Sequence, residues 1–266
     1  MSRAIVVTSG KGGVGKTTLS ANIGYALSMS GNRVVLVDTD IGLRNLDVIL
    51  GLENRVVWNI LHVARRECEL KQALVKDKRL SSSLYLLPAA QTFRKEDLGI
   101  DELQAIVEAL KTAFDYVILD CPAGIEHGFN NAINAADEAI VVVTPEIASV
   151  RDADRVIGLL ESSGIRDISL IVNRIKPEMV SSGDMISVDD ILDILAVRLL
   201  GVVPEDKNII IATNRGEPVV LSDKTIASKT IMAAAARIEG KDVPIPDYTQ
   251  HGFWQRVGDF FKGRDT

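Results

Sequence analysis

Cysteine is nearly absent from this chain. Cys68 and Cys121 are the only two in 266 residues, too few and too plainly spaced for a disulfide framework or a zinc site, which points to a reducing compartment. Basic excess is missing as well. Thirty Lys and Arg face 36 Asp and Glu, a net charge of −6, so the clustered cationic footprint of general nucleic-acid binding is not expected. The longest apolar runs reach about five or six residues, against the roughly 20 that a membrane-crossing helix needs. Met1-Ser2-Arg3 leads straight into a strand-like segment, without the charged, apolar and cleavable layout of a secretory signal. The expectation is a cytoplasmic protein that does not cross the membrane. Aromatics are scarce at 5%, and four of the twelve, Phe253, Trp254, Phe260 and Phe261, crowd the last fourteen positions.

What is present is ordinary for a globular chain: 47% apolar and 25% charged residues, at a length that buries about seven tenths of the unfolded surface. Val- and Ile-rich runs near Ala4–Thr8, Arg33–Val37, Leu84–Leu87, Tyr116–Leu119, Glu138–Val143, Ile168–Val172 and Leu200–Val203 read as strands. Apolar runs without alternation suit strands covered on both faces, and the helical stretches between them imply parallel crossovers. The alternation continues to about residue 238 without repeat or linker. This predicts an α/β fold, a single doubly wound and mostly parallel sheet spanning residues 1–240. The helix near Thr225–Ile238 is its last packed element. Residues 241–250 contain Pro244 and Pro246 and read as an exposed linker.

The strongest motif is Gly10-Lys11-Gly12-Gly13-Val14-Gly15-Lys16-Thr17, which fits GxxxxGK[ST] between a strand and a helical stretch. Glycines let backbone N–H groups turn inward around phosphate oxygens, and the helix N-terminus adds its partial positive charge. Lys16 is placed to contact the β- and γ-phosphates and the Thr17 hydroxyl to ligate Mg²⁺. Tyr116-Val117-Ile118-Leu119-Asp120 is an apolar strand ending in a carboxylate, which puts Asp120 on the metal through water. Cys121 behind it reads as a small buried residue. Asp38 and Asp40 follow the second strand and would point to one side if the strand persists. At the carboxyl end of a parallel sheet that side is the ligand crevice. By themselves these residues support an NTPase and no more.

Lys11, a second lysine inside the loop, is the informative departure. On this residue the chain resembles the deviant Walker-A (MinD/ParA) family of P-loop ATPases. The resemblance implies that Lys11 reaches across an ATP-dependent homodimer to the partner's phosphates; without it, Lys11 is one more solvated loop cation. It also implies that residues 10–18, Thr18 included, cradle ATP, that Asp38 holds the Mg²⁺ hydration shell, and that Asp40 orients or deprotonates the attacking water. Asn173 and Arg174 would contact adenine, with Pro204, Glu205 and Asp206 closing over the base. Within the family, Gly42-Leu43-Arg44-Asn45-Leu46-Asp47 resembles the septum-placing branch rather than partition ATPases, which continue Asp-Pro-Gln there. That branch implies a MinC-like division inhibitor and a MinE-like activator on the Ser149–Arg155 surface, with Ser149 and Asp152 as contacts. A ParA-like partition ATPase and a metabolic ligase or reductase on the same fold are the rival readings.

The crowded aromatics fall in a pattern. Phe253, Trp254, Val257, Phe260 and Phe261 form one helical stripe within residues 251–264, and Arg256, Lys262 and Arg264 oppose Asp259. Gly252 and Gly258 make so short a helix unstable alone in water. It can lie in an anionic membrane surface, dock on its own domain or a partner, or stay disordered. The resemblance implies the first. Two tails on one ATP-held dimer would then bind on the order of 10²-fold more tightly than one.

Overall fold

Neighbouring side chains of a strand point to opposite faces, so an apolar run can feed two cores at once. In β1 (Arg3–Thr8), Ala4 and Val6 enter one core while Ile5 and Val7 enter the other. The same division holds in β2 (Val34–Asp38), with Val35 and Val37 against Val34 and Leu36. The remaining strands of the computed structural model are β3 (Val75–Lys76), β4 (Leu84–Leu87), β5 (Tyr116–Asp120), β6 (Glu138–Val143), β7 (Asp167–Ile175) and β8 (Arg198–Pro204). They form one sheet in the order β3-β4-β2-β5-β1-β6-β7-β8. Every pairing is parallel except β3 with β4. The structure describes residues 2–79, 83–93, 97–222 and 224–246; the expected helix at 251–264 and the end of the expected linker lie outside them.

The helices are α1 (Lys16–Met29), α2 (Leu46–Ile49), α3 (Ile60–Ala64), α4 (Leu70–Ala73), α5 (Ile100–Lys111), α6 (His127–Asn134), α7 (Ile147–Ser162), α8 (Pro177–Ser181), α9 (Val188–Leu195), α10 (Lys207–Asn214) and α11 (Ile226–Ile238). Leu103 and Val107 of α5, Phe129 of α6, Val156 of α7 and Ile191 of α9 cover one face. Leu19, Ile23 and Leu27 of α1, Leu46 of α2 and Ile231 of α11 cover the other. Both faces are therefore dry, as unbroken apolar strands require.

The seven expected strands are all present. β3 was not expected: two residues of antiparallel edge carry no readable alternation. The short helices between β2 and β4 were not expected either. One of them, α3, starts on a local signal, the Asn59 side chain accepting from Leu61 N and His62 N. Residues 241–246 form no helix, as their prolines demand, yet they are not simply solvated. Arg237 donates to Val243 O at 2.6 Å and Pro244 O at 2.8 Å, and Ile245 packs on the core. Among the described residues no helix is long and apolar enough to cross a membrane.

Candidate functional site

The parallel strands deliver their last residues to one rim, where each chain must turn toward its helix. After β1 the turn is the glycine loop, and Gly15 caps α1 with a left-handed φ of 100°. A Cβ at Gly15 would collide with Asn173 Nδ2, so this position needs glycine both for backbone angle and for space. That amide nitrogen donates to Val14 O at 2.7 Å, which pins the loop to the end of β7. Asn173 is buried, and its Oδ1 has no hydrogen-bond partner. Lys16 is buried too, at 7% exposure, and Nζ donates to Ser9 Oγ at 3.0 Å. A buried ammonium and an orphaned amide oxygen are costly on their own. Both suit an anionic ligand with a donor edge, such as a nucleotide.

The metal side forms where β2 and β5 end next to each other. Asp38 and Asp120 are register partners, and each is 1% exposed. Burial pushes the Asp120 carboxyl up to about 6, against hydrogen bonds from Ser20 and Thr17 that favour its ionised form. Ser20 Oγ donates to Asp120 Oδ1 at 2.8 Å. Burial and the facing Asp120 carry Asp38 well above the usual carboxylate range, opposed by N–H donors from Asp40 (3.0 Å) and Leu46 (3.2 Å). Two buried carboxylates resisting ionisation side by side fit a divalent cation in waiting. The donor set also fits Mg²⁺ in particular, which takes one hydroxyl, one or two carboxylates, water and phosphate oxygens. Among the described residues no group of three His, Cys, Asp or Glu side chains offers an all-protein alternative.

Asp40 does not share a strand face with Asp38. The strand stops at Asp38 and the chain turns, because the Asp38 carboxylate accepts from Asp40 N and Ile41 N donates to Thr39 O. Thr39 anchors the turn by donating both its N–H (3.1 Å) and its hydroxyl (2.7 Å) to Asp120 O. Cys121 is 2% exposed and its thiol is pushed up to about 12, so it is inert.

On the far side of the loop, Gly15, Thr18, Asn173, Arg174, Pro204, Glu205 and Asp206 line one cleft. The expected base-contacting residues are thus brought together, although they come from β7, β8 and the start of α10. Arg174 is left-handed at φ 60° and its Nε lies 3.9 Å from a Glu205 carboxylate oxygen. Asp206 has a structural task as well, accepting from Asn208 N at 2.8 Å to cap α10.

The expected partner surface needs a correction. Ser149 is 2% exposed, and its hydroxyl accepts from Thr144 N at 3.0 Å to close the turn before α7, so it cannot meet a partner. Asp152, one turn on, is exposed. Its backbone backs directly onto the loop, where a Cβ at Gly10 would lie 2.5 Å from the Asp152 carbonyl. Lys11 is half exposed and pairs within the chain with Glu146 at 2.8 Å. The sequence reading missed Ser9, Ser20 and Glu146. For Ser20 a signal exists: it lies one turn beyond Lys16, on the helix face that the loop turns toward the sheet.

Comparison with known proteins completes the picture. The AAA domain family model matches residues 2–165. The septum site-determining protein MinD of Synechocystis sp. is 57% identical over 249 residues, 93% of each chain. The chain belongs to the MinD family. A chain of the MinC:MinD cell division protein complex from Aquifex aeolicus is 52% identical, with a TM-score of 0.87 over 93% of this chain and 99% of its own. MinD from Pyrococcus horikoshii, solved with Mg-ADP, is 30% identical at a TM-score of 0.82, over 90% of this chain and 96% of its own. MinD membership makes the chain a septum-placing ATPase, which answers the partition and metabolic rivals. The Gly42–Asp47 stretch that the sequence singled out is the loop closing over Asp38.

Proposed function

We propose that the chain is an ATP-driven membrane switch built as residues 1–240 for ATP, 241–250 as linker and 251–264 as membrane helix. The observation that carries the reading is the rim where Lys16, Thr17, Asp38 and Asp120 converge, two carboxylates and an ammonium with too little water around them. Glycines 10, 12, 13 and 15 with Val14, Thr17 and Thr18 wrap the phosphates, and Lys16 holds the terminal ones. Thr17, Asp38 and Asp120 hold Mg²⁺, which when bound neutralises charge on the phosphate oxygens. Asp40, half-buried at the turn, orients the attacking water. Asn173 offers its free Oδ1 to the purine amine, with Arg174, Pro204, Glu205 and Asp206 around the base.

Lys11 is the cross-dimer residue in this reading, and release from Glu146 frees it to reach a second subunit. The dimer pairs two tails, and Phe253, Trp254, Val257, Phe260 and Phe261 of each enter an anionic membrane surface. Effective concentration makes the pair bind where one tail does not. The Aquifex complex supports a MinC-like inhibitor as cargo. A MinE-like activator that triggers hydrolysis would reset the cycle, with Asp152 on the shared partner surface.

Co-sedimentation with anionic liposomes tests the switch, using the full chain and a chain ending at residue 250. Binding with ATP alone, lost on truncation, is expected. Equal binding with ADP and ATP, or none, refutes it. Lys11→Ala should abolish the ATP dimer seen by size exclusion, whereas Asp40→Ala should trap it. Normal turnover by Asp40→Ala would remove Asp40 from its role.

A further inference from the structure

The stretch Gly42-Leu43-Arg44-Asn45-Leu46-Asp47 does more than tell one branch of the family from another. Its structure suggests work of its own. Leu43 N and Arg44 N both donate back to Asp40 O, at 3.2 and 3.3 Å, so the loop folds onto the residue two positions beyond the metal-side carboxylate. Two residues later Leu46 N reaches Asp38 Oδ2. The two oxygens of the Asp38 carboxylate thus take N–H donors from the turn at Asp40 and from Leu46, and its direction depends on the shape of the chain between them.

That shape contains a strained residue. Arg44 has φ +44°, which side chains with a Cβ adopt only when something holds them there. An ion pair meets it there. Arg44 Nε lies 2.7 Å from Asp47 Oδ2, and the Asp47 side chain is fully buried while Arg44 keeps 16% exposure. The Asp47 carboxylate has no access to water, and the left-handed turn at residue 44 brings a cation beside it. Asp47 is itself fixed, because Leu52 N donates to its carbonyl at 2.8 Å and Leu46 beside it lies in the core. The ion pair therefore works as a clamp between α2 and the loop that aims Asp38.

We propose that Arg44 and Asp47 are positioning residues for the metal side of the site, holding the left-handed turn that presents Leu46 N–H to Asp38. The inference rests on the reading of Asp38 as a Mg²⁺-shell residue. It touches neither metal nor nucleotide directly, so its signature is a split: metal dependence changes while nucleotide affinity does not. Loss of a partner behind a metal shell typically weakens metal binding about 10- to 100-fold.

The test is calorimetric ADP binding by the full chain across a Mg²⁺ titration and in EDTA. Asp47→Asn keeps the side chain's size and removes its charge. It should raise the Mg²⁺ concentration at which ADP binding reaches half its metal-enhanced value by about tenfold, leaving affinity in EDTA within about twofold. Arg44→Lys, which keeps a cation, should recover most of the loss. Arg44→Gly removes the cation but tolerates the turn, and should show the same split; it carries the test if Asp47→Asn fails to fold. Variants that bind ADP with wild-type Mg²⁺ dependence, even with a lowered melting temperature, would overturn the proposal. A wild-type chain whose ADP affinity ignores Mg²⁺ would instead refute the metal-site reading beneath it.

Discussion

Where the parallel strands begin, opposite charges meet in partial contact with water: Arg3 with Glu138 at 2.5 Å, Lys111 with Asp137 at 3.0 Å and Arg198 with Asp167 at 3.3 Å. Where they finish, Asp38 and Asp120 face each other at 1% exposure, with the buried Lys16 nearby. The backbone is the same at both ends, yet the electrostatic logic is reversed. Pairs at the starting end are satisfied without help and contribute little to stability. Groups at the finishing end are held against their solvation preference, so the free chain carries a cost that a nucleotide and a cation can remove. Binding strength at this rim is partly stability withheld from the empty protein.

The contrast breaks most visibly at Lys16. Lys16→Ala should lower ATP turnover by about 10³-fold in a phosphate-release assay, without lowering the melting temperature of the nucleotide-free chain. A large loss of melting temperature would mean that Lys16 belongs with the stabilising charges instead. Next comes Asp120. Its folded-state carboxyl, near 6, lies above the ordinary 3.8, so the stability it contributes is full below about pH 4 and is lost as pH rises through about 6. Asp120→Asn should therefore stabilise the nucleotide-free chain at pH 7.5, by up to about 3 kcal/mol, while abolishing stabilisation by Mg-ADP. Urea denaturation at pH 4 and pH 7.5 measures it, and equal gains at both would refute burial of the charge as the cause.

Asn173→Ala removes both the staple to Val14 and the orphaned oxygen. ADP affinity should fall about tenfold by calorimetry, the upper end for one neutral buried hydrogen bond; an unchanged affinity would reduce Asn173 to a loop anchor. The smallest effect is expected at the opposite end. Asp167→Asn breaks the exposed pair with Arg198 and should change unfolding free energy by less than about 0.5 kcal/mol in the same urea assay.

Much of this contrast was legible in the residues because it is built from local signals. A doubly covered strand shows itself as a short apolar run rich in β-branched residues, as Val34–Val37 and Ile140–Val143 do. The phosphate loop is legible because glycine is required within eight residues by angle at Gly13 and Gly15 and by space at Gly10 and Gly15. What the chain concealed depends on pairs distant in sequence. Nothing near Ser149 says that it closes the turn at Thr144, and a Ser in a charged helix start reads as surface. Nothing near Asn173 says that half its amide is spent 159 residues away. The turn that takes Asp40 off the strand was readable in principle, since an Asp two residues upstream is a common turn former, but strand alternation was the louder pattern.

The approach of Gly10 to Asp152 leaves 2.5 Å for an atom that glycine does not have. The start of the loop and the second turn of α7 are therefore one solid piece, joined without a bond. Even an alanine at position 10 must push the helix outward, so a mutation made to disable phosphate binding there would also reshape the outer face on which Asp152 stands. The single methyl group separates two experiments that are easily confused: a defect in partner binding caused at the partner surface, and the same defect caused from behind it.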